Sequence, residues 1–200
     1  MTTKEMLLAG VLLVVCCVTA SAQQTVRVKG TIEKVDGNTL MLKTADGEAK
    51  LALKGNAQIV AVGKASMAEI KKNTFLGSAA MPQPDGAQKA LEVHIFPESM
   101  RGTGEGHRPY APVKGSTMTN GAASGAVVTG VEGSAMKVKY KDGEQTIVVP
   151  PDVPIVRYEI GSPADLKSGA AFTVLAATKM SDGSFEAARI NVGRDGVVPQ

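Results

Sequence analysis

Sliding the sequence along itself by 96 positions lays one pattern over a second copy of it. Val35 meets Val131, Gly37 meets Gly133 and Lys43 meets Lys139. Asp46-Gly47-Glu48 meets Asp142-Gly143-Glu144, and Ile59-Val60 meets Ile155-Val156. Ser66, Ala68, Ile70 and Lys71 meet Ser162, Ala164, Leu166 and Lys167, with Glu69 over Asp165. One extra residue then moves the offset to 97, where Asp85-Gly86 meets Asp182-Gly183, Ala90 meets Ala187 and Val93 meets Ile190. Chance does not keep turns, apolar positions and a short helix in one order over such a length. The chain reads as a tandem duplication, residues 26–96 and 126–193.

Each copy is mostly strand. Val26 to Val35 alternates, Asp36-Gly37-Asn38 is a turn, and Leu40 and Leu42 alternate with Met41 and Lys43. Asp46-Gly47 is a two-residue hairpin signal of the type I′ pattern. Leu51 and Leu53 carry a further strand, and Ile59 to Val62 another. Ser66 to Lys72 predicts one helical turn, capped by Ser66 with Glu69 as its capping-box partner. Ser162, Pro163 and Asp165 take these places in the second copy, where proline suits the first helical position. Two strands close each copy. The expected fold is all-β: two tandem small OB-like antiparallel barrels, each with one short helical turn. A barrel hides its sheet edges. Single units of ~70 residues lie near the lower limit for a self-sufficient core, so docking of the two is expected.

The order strand, turn, strand, Asp-Gly hairpin, Ile-Val strand, capped turn and Asp-Gly before the last strand resembles a known group. It is similar to the exported bacterial small-β-barrel domains of OB-like plan, a family without assigned function. The second copy matches through Asp165-Leu166-Lys167-Ser168-Gly169 and Asp182-Gly183, whereas the first has Asn73 where the second has Gly169. The resemblance implies an envelope setting and binding rather than chemistry, and brings no catalytic residues.

The same address is written in residues 1–22, which read as a secretory signal peptide. Lys4 gives a short basic region, Met6 to Val18 an apolar core, and Ala20-Ser21-Ala22 the small residues before a cut ahead of Gln23. The apolar run is short of the ~20 residues that span a bilayer. Cys16 and Cys17, the only cysteines, lie inside it, so residues 23–200 make no disulfide and offer no thiolate. The expected location is the periplasm, with no transmembrane span after cleavage.

Residues 97–125 are not duplicated and are dense in glycine and proline, which reads as a linker or binding loop; 194–200 is a tail. A plain spacer does not need Arg101, Glu105, His107, Arg108 and Tyr110 in ten residues, so Arg101, Arg108 and Tyr110 are candidate ligand or partner contacts. Gly102, Gly104 and Gly106 do not form a phosphate loop, because Pro109 and Pro112 follow instead of a helix.

The two histidines, His94 and His107, each follow a glutamate by two positions, Glu92 and Glu105. Residues two apart on a strand share a face, so with Leu91, Val93 and Ile95 inward, Glu92 and His94 point out together. A loop folding back would bring all four to one divalent metal. The seven methionines of residues 23–200 are scattered and read as gap fillers rather than a copper site. Asp36, Asp46, Asp85, Asp142 and Asp182 precede glycine and serve turns. No G-x-S-x-G element supports a hydrolase, the enzyme class that remains. A net charge of +3 and 4% aromatic residues argue against nucleic acid. No cofactor is implied beyond that divalent metal. The reading is an exported, non-enzymatic binding or scaffolding protein with an envelope protein or polymer as partner. The alternative is a periplasmic metal-binding protein accessory to metal transport.

Overall fold

The computed structural model describes residues 25–125, 128–130 and 133–200. The expected leader, residues 1–22, lies outside them. The described chain is all-β. Its first repeat supplies β1 (Thr25–Asp36), β2 (Thr39–Thr44), β3 (Gly47–Lys64), β4 (Phe75–Pro82) and β5 (Gln88–Ile95). Then come β6 (Gly106–Pro109), β7 (Thr117–Ala123), β8 (Val128–Gly130), β9 (Gly133–Tyr140), β10 (Gly143–Val149), β11 (Ile155–Ile160), β12 (Ala171–Lys179) and β13 (Phe185–Gly193). All belong to one large sheet. No helix of the described residues is long and apolar enough to cross a membrane.

Local chemistry accounts for most of these elements. Both capped turns form, as 3₁₀ turns at Met67–Glu69 and Pro163–Asp165. The Glu69 carboxylate accepts the Ser66 backbone N–H at 3.0 Å, and that of Asp165 accepts the Ser162 N–H at 2.8 Å. Asn73 holds φ 71° where its counterpart Gly169 holds 84°. Asparagine is among the few side chains that tolerate this left-handed region. The first hairpin departs from the type I′ expectation. Thr44 pairs with Gly47, so Ala45 and Asp46 form the loop, and Gly47 takes positive φ while Asp46 does not. The Thr44 hydroxyl fixes this turn, accepting the Asp46 N–H and donating to the Gly47 carbonyl.

The ladders divide the chain differently from the repeat. One cycle of pairings runs β1–β2, β2–β3, β3–β13, β13–β12 and back to β1, with only β3–β13 parallel. A second runs β4–β5, β5–β10, β10–β9, β9–β7 and back to β4, with only β5–β10 parallel. Each cycle thus takes three strands from one repeat and the last two from the other. The cores follow. Ile32, Leu40, Leu51, Phe172 and Ile190 share one; Leu76, Val93, Met136, Val138 and Ile147 share the other. The division at 26–96 and 126–193 describes the sequence, not the packing. β3 explains why: its 18 residues are on the order of 60 Å of extended chain, enough to leave one core and deliver β4 to the next.

β11 joins the two sets, antiparallel to β3 and parallel to β5. In its ladder with β3, Val62 faces Tyr158. These residues occupy the same place in the two repeats, so a pseudo-two-fold axis passes through this pair. A third cluster surrounds it, with Val60, Phe75, Phe96, Met100, Val156 and Val197.

Residues 97–125 are not simply a linker. They hold a 3₁₀ turn at Glu98–Met100 and strands β6 and β7. β7 fills for the second cycle the place that β1 fills in the first. Gly30 and Gly121 lie against the carbonyls of the counterparts Lys43 and Lys139. The second repeat therefore starts near Thr117, and the true connection ends before it.

Candidate functional site

The site grows from a bulge in β5. In β5, Ala80 pairs with Ala90 and Ala79 with Glu92, leaving Leu91 out of the ladder. In β13 the ladder with β3 is interrupted at Ala188, the counterpart of Leu91, but there the extra residues are those of β3, where 54–57 lie between Leu53 and Gln58, and the β12–β13 register is unshifted. Bulges re-aim the side chains that follow. Glu92 and His94 then face away from the core that takes Val93, and their counterparts Arg189 and Asn191 face away from the core that takes Ile190.

Facing away does not expose them. Glu92 and His94 are 7% and 5% accessible, because the outer face of one core is here the inner face of a layer between the two. Leu91, expected inside, is the exposed one of the three, at 39%. Glu92 and His94 share a hydrogen bond of 2.9 Å. The His94 ring stacks on Tyr158 at 5.2 Å and 18°, and Tyr158 meets Phe96 edge-on at 5.2 Å. Burial, reinforced by the Glu92 charge, raises the Tyr158 hydroxyl far above the usual phenol range. Burial also lowers the Arg189 guanidinium, which donates to Asn191 at 3.3 Å. The polar layer thus sets an acid–imidazole pair on one side of the axis and a cation–amide pair on the other.

A cavity of about 660 Å³ opens against this layer. Its walls come from both cycles: Arg27 and Lys29 of β1, and Leu91, Glu92 and His94 of β5. Tyr110, Pro112 and Val113 border it from the loop before β7, and Gln200 from the C-terminal tail. The tail is fixed by Val197 in the central cluster and by the Thr173 hydroxyl, which donates to the Pro199 carbonyl at 2.7 Å. Arg27 and Lys29 form no ion pair among the described residues, and the buried Arg27 Nε has no hydrogen-bond partner. Sequence reasoning passed over both, although their alternation with the apolar Val26 and Val28 marks the polar face of a strand. Tyr158 was equally missed; its signal is a tyrosine where the other copy has Val62.

The four expected metal ligands are not brought together. Glu105 and His107 border a separate cavity with Arg108, Tyr140 and Asp142. There His107 bonds the Thr119 hydroxyl at 2.8 Å and stacks on Tyr140 at 6.4 Å. Among the described residues no three histidine, cysteine, aspartate or glutamate side chains gather to hold a metal. The reason is pairing: β6 holds His107 beside Thr119 of β7, while β5 carries His94 to the central axis. Of the three expected contact residues, Tyr110 borders the main cavity. Arg101 is engaged internally, on Glu98, on the Asn73 carbonyl at 2.9 Å, and over the Phe75 ring at 5.6 Å. Arg108 donates to the Gly104 carbonyl at 2.6 Å.

A chain of alternating charges links the two capped turns: Glu69, Arg157, Glu159, Arg194, Asp165. Arg157 and Arg194 hold the carboxyls of Glu159 and Asp165 below their usual values. Burial lowers the His107 imidazole. All three folded-state values are depressed, so the folded chain binds fewer protons in acid, and stability is lost as pH falls. A shallow loss is expected below about 6.5 and a steeper one below about 4.5. The Arg157 and Arg194 side chains are 44% and 37% exposed, so screening limits each link. Arg194→Met is expected to lose about 1 kcal/mol at pH 7 and to flatten the acid limb. Urea titrations at pH 7 and pH 3.5 measure this, and an unchanged acid limb in the variant rules it out.

No family model, curated protein or solved structure matches the chain.

Proposed function

We propose that this is an exported, non-enzymatic binding protein of the bacterial envelope, and that the cleft between its two halves takes the ligand. In this reading each pairing cycle is a small OB-like barrel, and the two barrels have exchanged their last two strands. The order of the cycles supports it: counted within one repeat it is 1-2-3-5-4, with the third strand parallel to the fifth, as a five-stranded OB-like barrel requires. The leader pattern of residues 1–22 supports the address.

One observation carries the binding reading. The cavity of about 660 Å³ falls in the range of small-molecule sites and mixes apolar walls with a few convergent polar groups. Its lining supports holding rather than reacting, since Glu92 and His94 bond to one another. A fragment screen followed by amide NMR shifts on residues 23–200 tests this. Hits are expected to move resonances of residues 27–29, 91–94 and 110–113. Hits scattered over the surface, or none, overturn the reading.

A further inference from the structure

We infer that the cleft selects a small amphiphilic carboxylate: one anionic head on a short hydrocarbon body. The inference rests on the binding reading above and deepens it to a ligand class. Its first ground is an unmet charge. Arg27 and Lys29 stand two apart on β1 and border the cavity, and among the described residues neither has a carboxylate partner. The Arg27 Nε is buried without any partner. A pair of cations with no anion beside it on the protein favours a ligand that brings one. A carboxylate does so well, because guanidinium and carboxylate match as planar forks.

The second ground is the fate of the other charges. Glu92, the one acidic side chain among the lining residues, is turned to His94 by a hydrogen bond, and the two cations of β1 outnumber it at the wall. The third ground is the apolar wall. Leu91 and Val113 are 39% and 41% exposed, large side chains that a folded chain ordinarily covers, and both border this cavity with Pro112 and Pro154. The bulge at Leu91 turns that side chain out of its core toward the cavity side, and a hydrocarbon body against it would remove apolar surface from water.

Octanoate is the probe, with acetate, octanol and octylammonium as comparisons, titrated by calorimetry and by amide NMR shifts on residues 23–200. Octanoate is expected to bind at least tenfold more tightly than each of the others, with shifts at residues 27–29, 91–94 and 110–113. Arg27→Gln is expected to weaken octanoate at least tenfold and to leave octanol unchanged; Arg27→Lys should recover part of the loss. Leu91→Ser should weaken octanoate without changing the order among the probes. Thermal melts of each variant check folding. If octanol or octylammonium matches octanoate with shifts in the cleft, the carboxylate inference fails while the binding reading stands. If none of the four probes moves a cleft resonance, while the fragment screen gives hits there, the inference again fails alone. Silence in both experiments overturns both.

Discussion

Cutting the backbone between Gly102 and Gly104 is expected to leave one particle, not two. A specific protease site placed there, in an exposed stretch, yields fragments ending and beginning in the connection between the repeats. The fragments should co-elute at the size of the intact chain and separate only in denaturant. The expectation follows from the ladders that cross the cut. β1 pairs with β12 and β3 with β13, while β4 pairs with β7 and β5 with β10. β11 adds pairings to both β3 and β5. Neither fragment holds a whole core: Leu40 and Leu51 pack with Phe172 and Ile190, and Leu76 and Val93 pack with Met136 and Ile147. Separation would expose both cores at roughly 25 cal/mol per Å² of apolar surface. The cut chain should also melt at a temperature that rises with protein concentration, since association now joins folding. Two half-sized species, each melting by itself, would show side-by-side units and refute the exchange.

The pairing of β3 with β13 and of β5 with β10 is what the residue pattern does not reveal. Period-two alternation says which face of a strand is buried, but not which neighbour it pairs with. The last strands of the two repeats share an apolar pattern, Ala90 and Val93 in one and Ala187 and Ile190 in the other, so β3 could accept β5 or β13 on that pattern. The reach of β3 and the ten-residue connector after it carry β4 away from the first core; the capping chemistry of that connector was legible while its direction was not. The lost strand β7 has a simpler cause. Lys43 lies thirteen positions after Gly30, but Lys139 lies eighteen after Gly121, so a fixed offset of 96 loses the match there. At the site, the pairing of Glu92 with His94 was legible from their spacing. Their burial was not, because a bulge and a second packed half turned an outer face into an interior one. Arg27 and Lys29 looked like ordinary strand cations, and only the cavity gives them a place.

The close approach at Gly30 and Gly121 yields the sharpest stability test. A Cβ on Gly30 would lie 2.0 Å from the Lys43 carbonyl oxygen, and one on Gly121 would lie 2.4 Å from that of Lys139. Both obstacles are backbone within a ladder, so no rotamer change relieves them. Gly30→Ala and Gly121→Ala are each expected to cost about 3 kcal/mol, which lowers the melting temperature by roughly 6–12 °C in a chain of this size. Gly55→Ala is the control, in β3 with nothing within 4 Å of its Cβ and no positive φ. It should gain about 0.5 kcal/mol by restricting the unfolded chain. Since the two tight glycines serve different cycles, their costs should add to within about 0.5 kcal/mol in the double variant. Thermal melts of the four variants decide the matter. If Gly121→Ala behaves like Gly55→Ala while Gly30→Ala is damaging, β7 does not stand in for β1 and the second repeat does not begin near Thr117. If both are damaging and additive, the same backbone crossing has been built twice, once from contiguous sequence and once around an insertion that hid it.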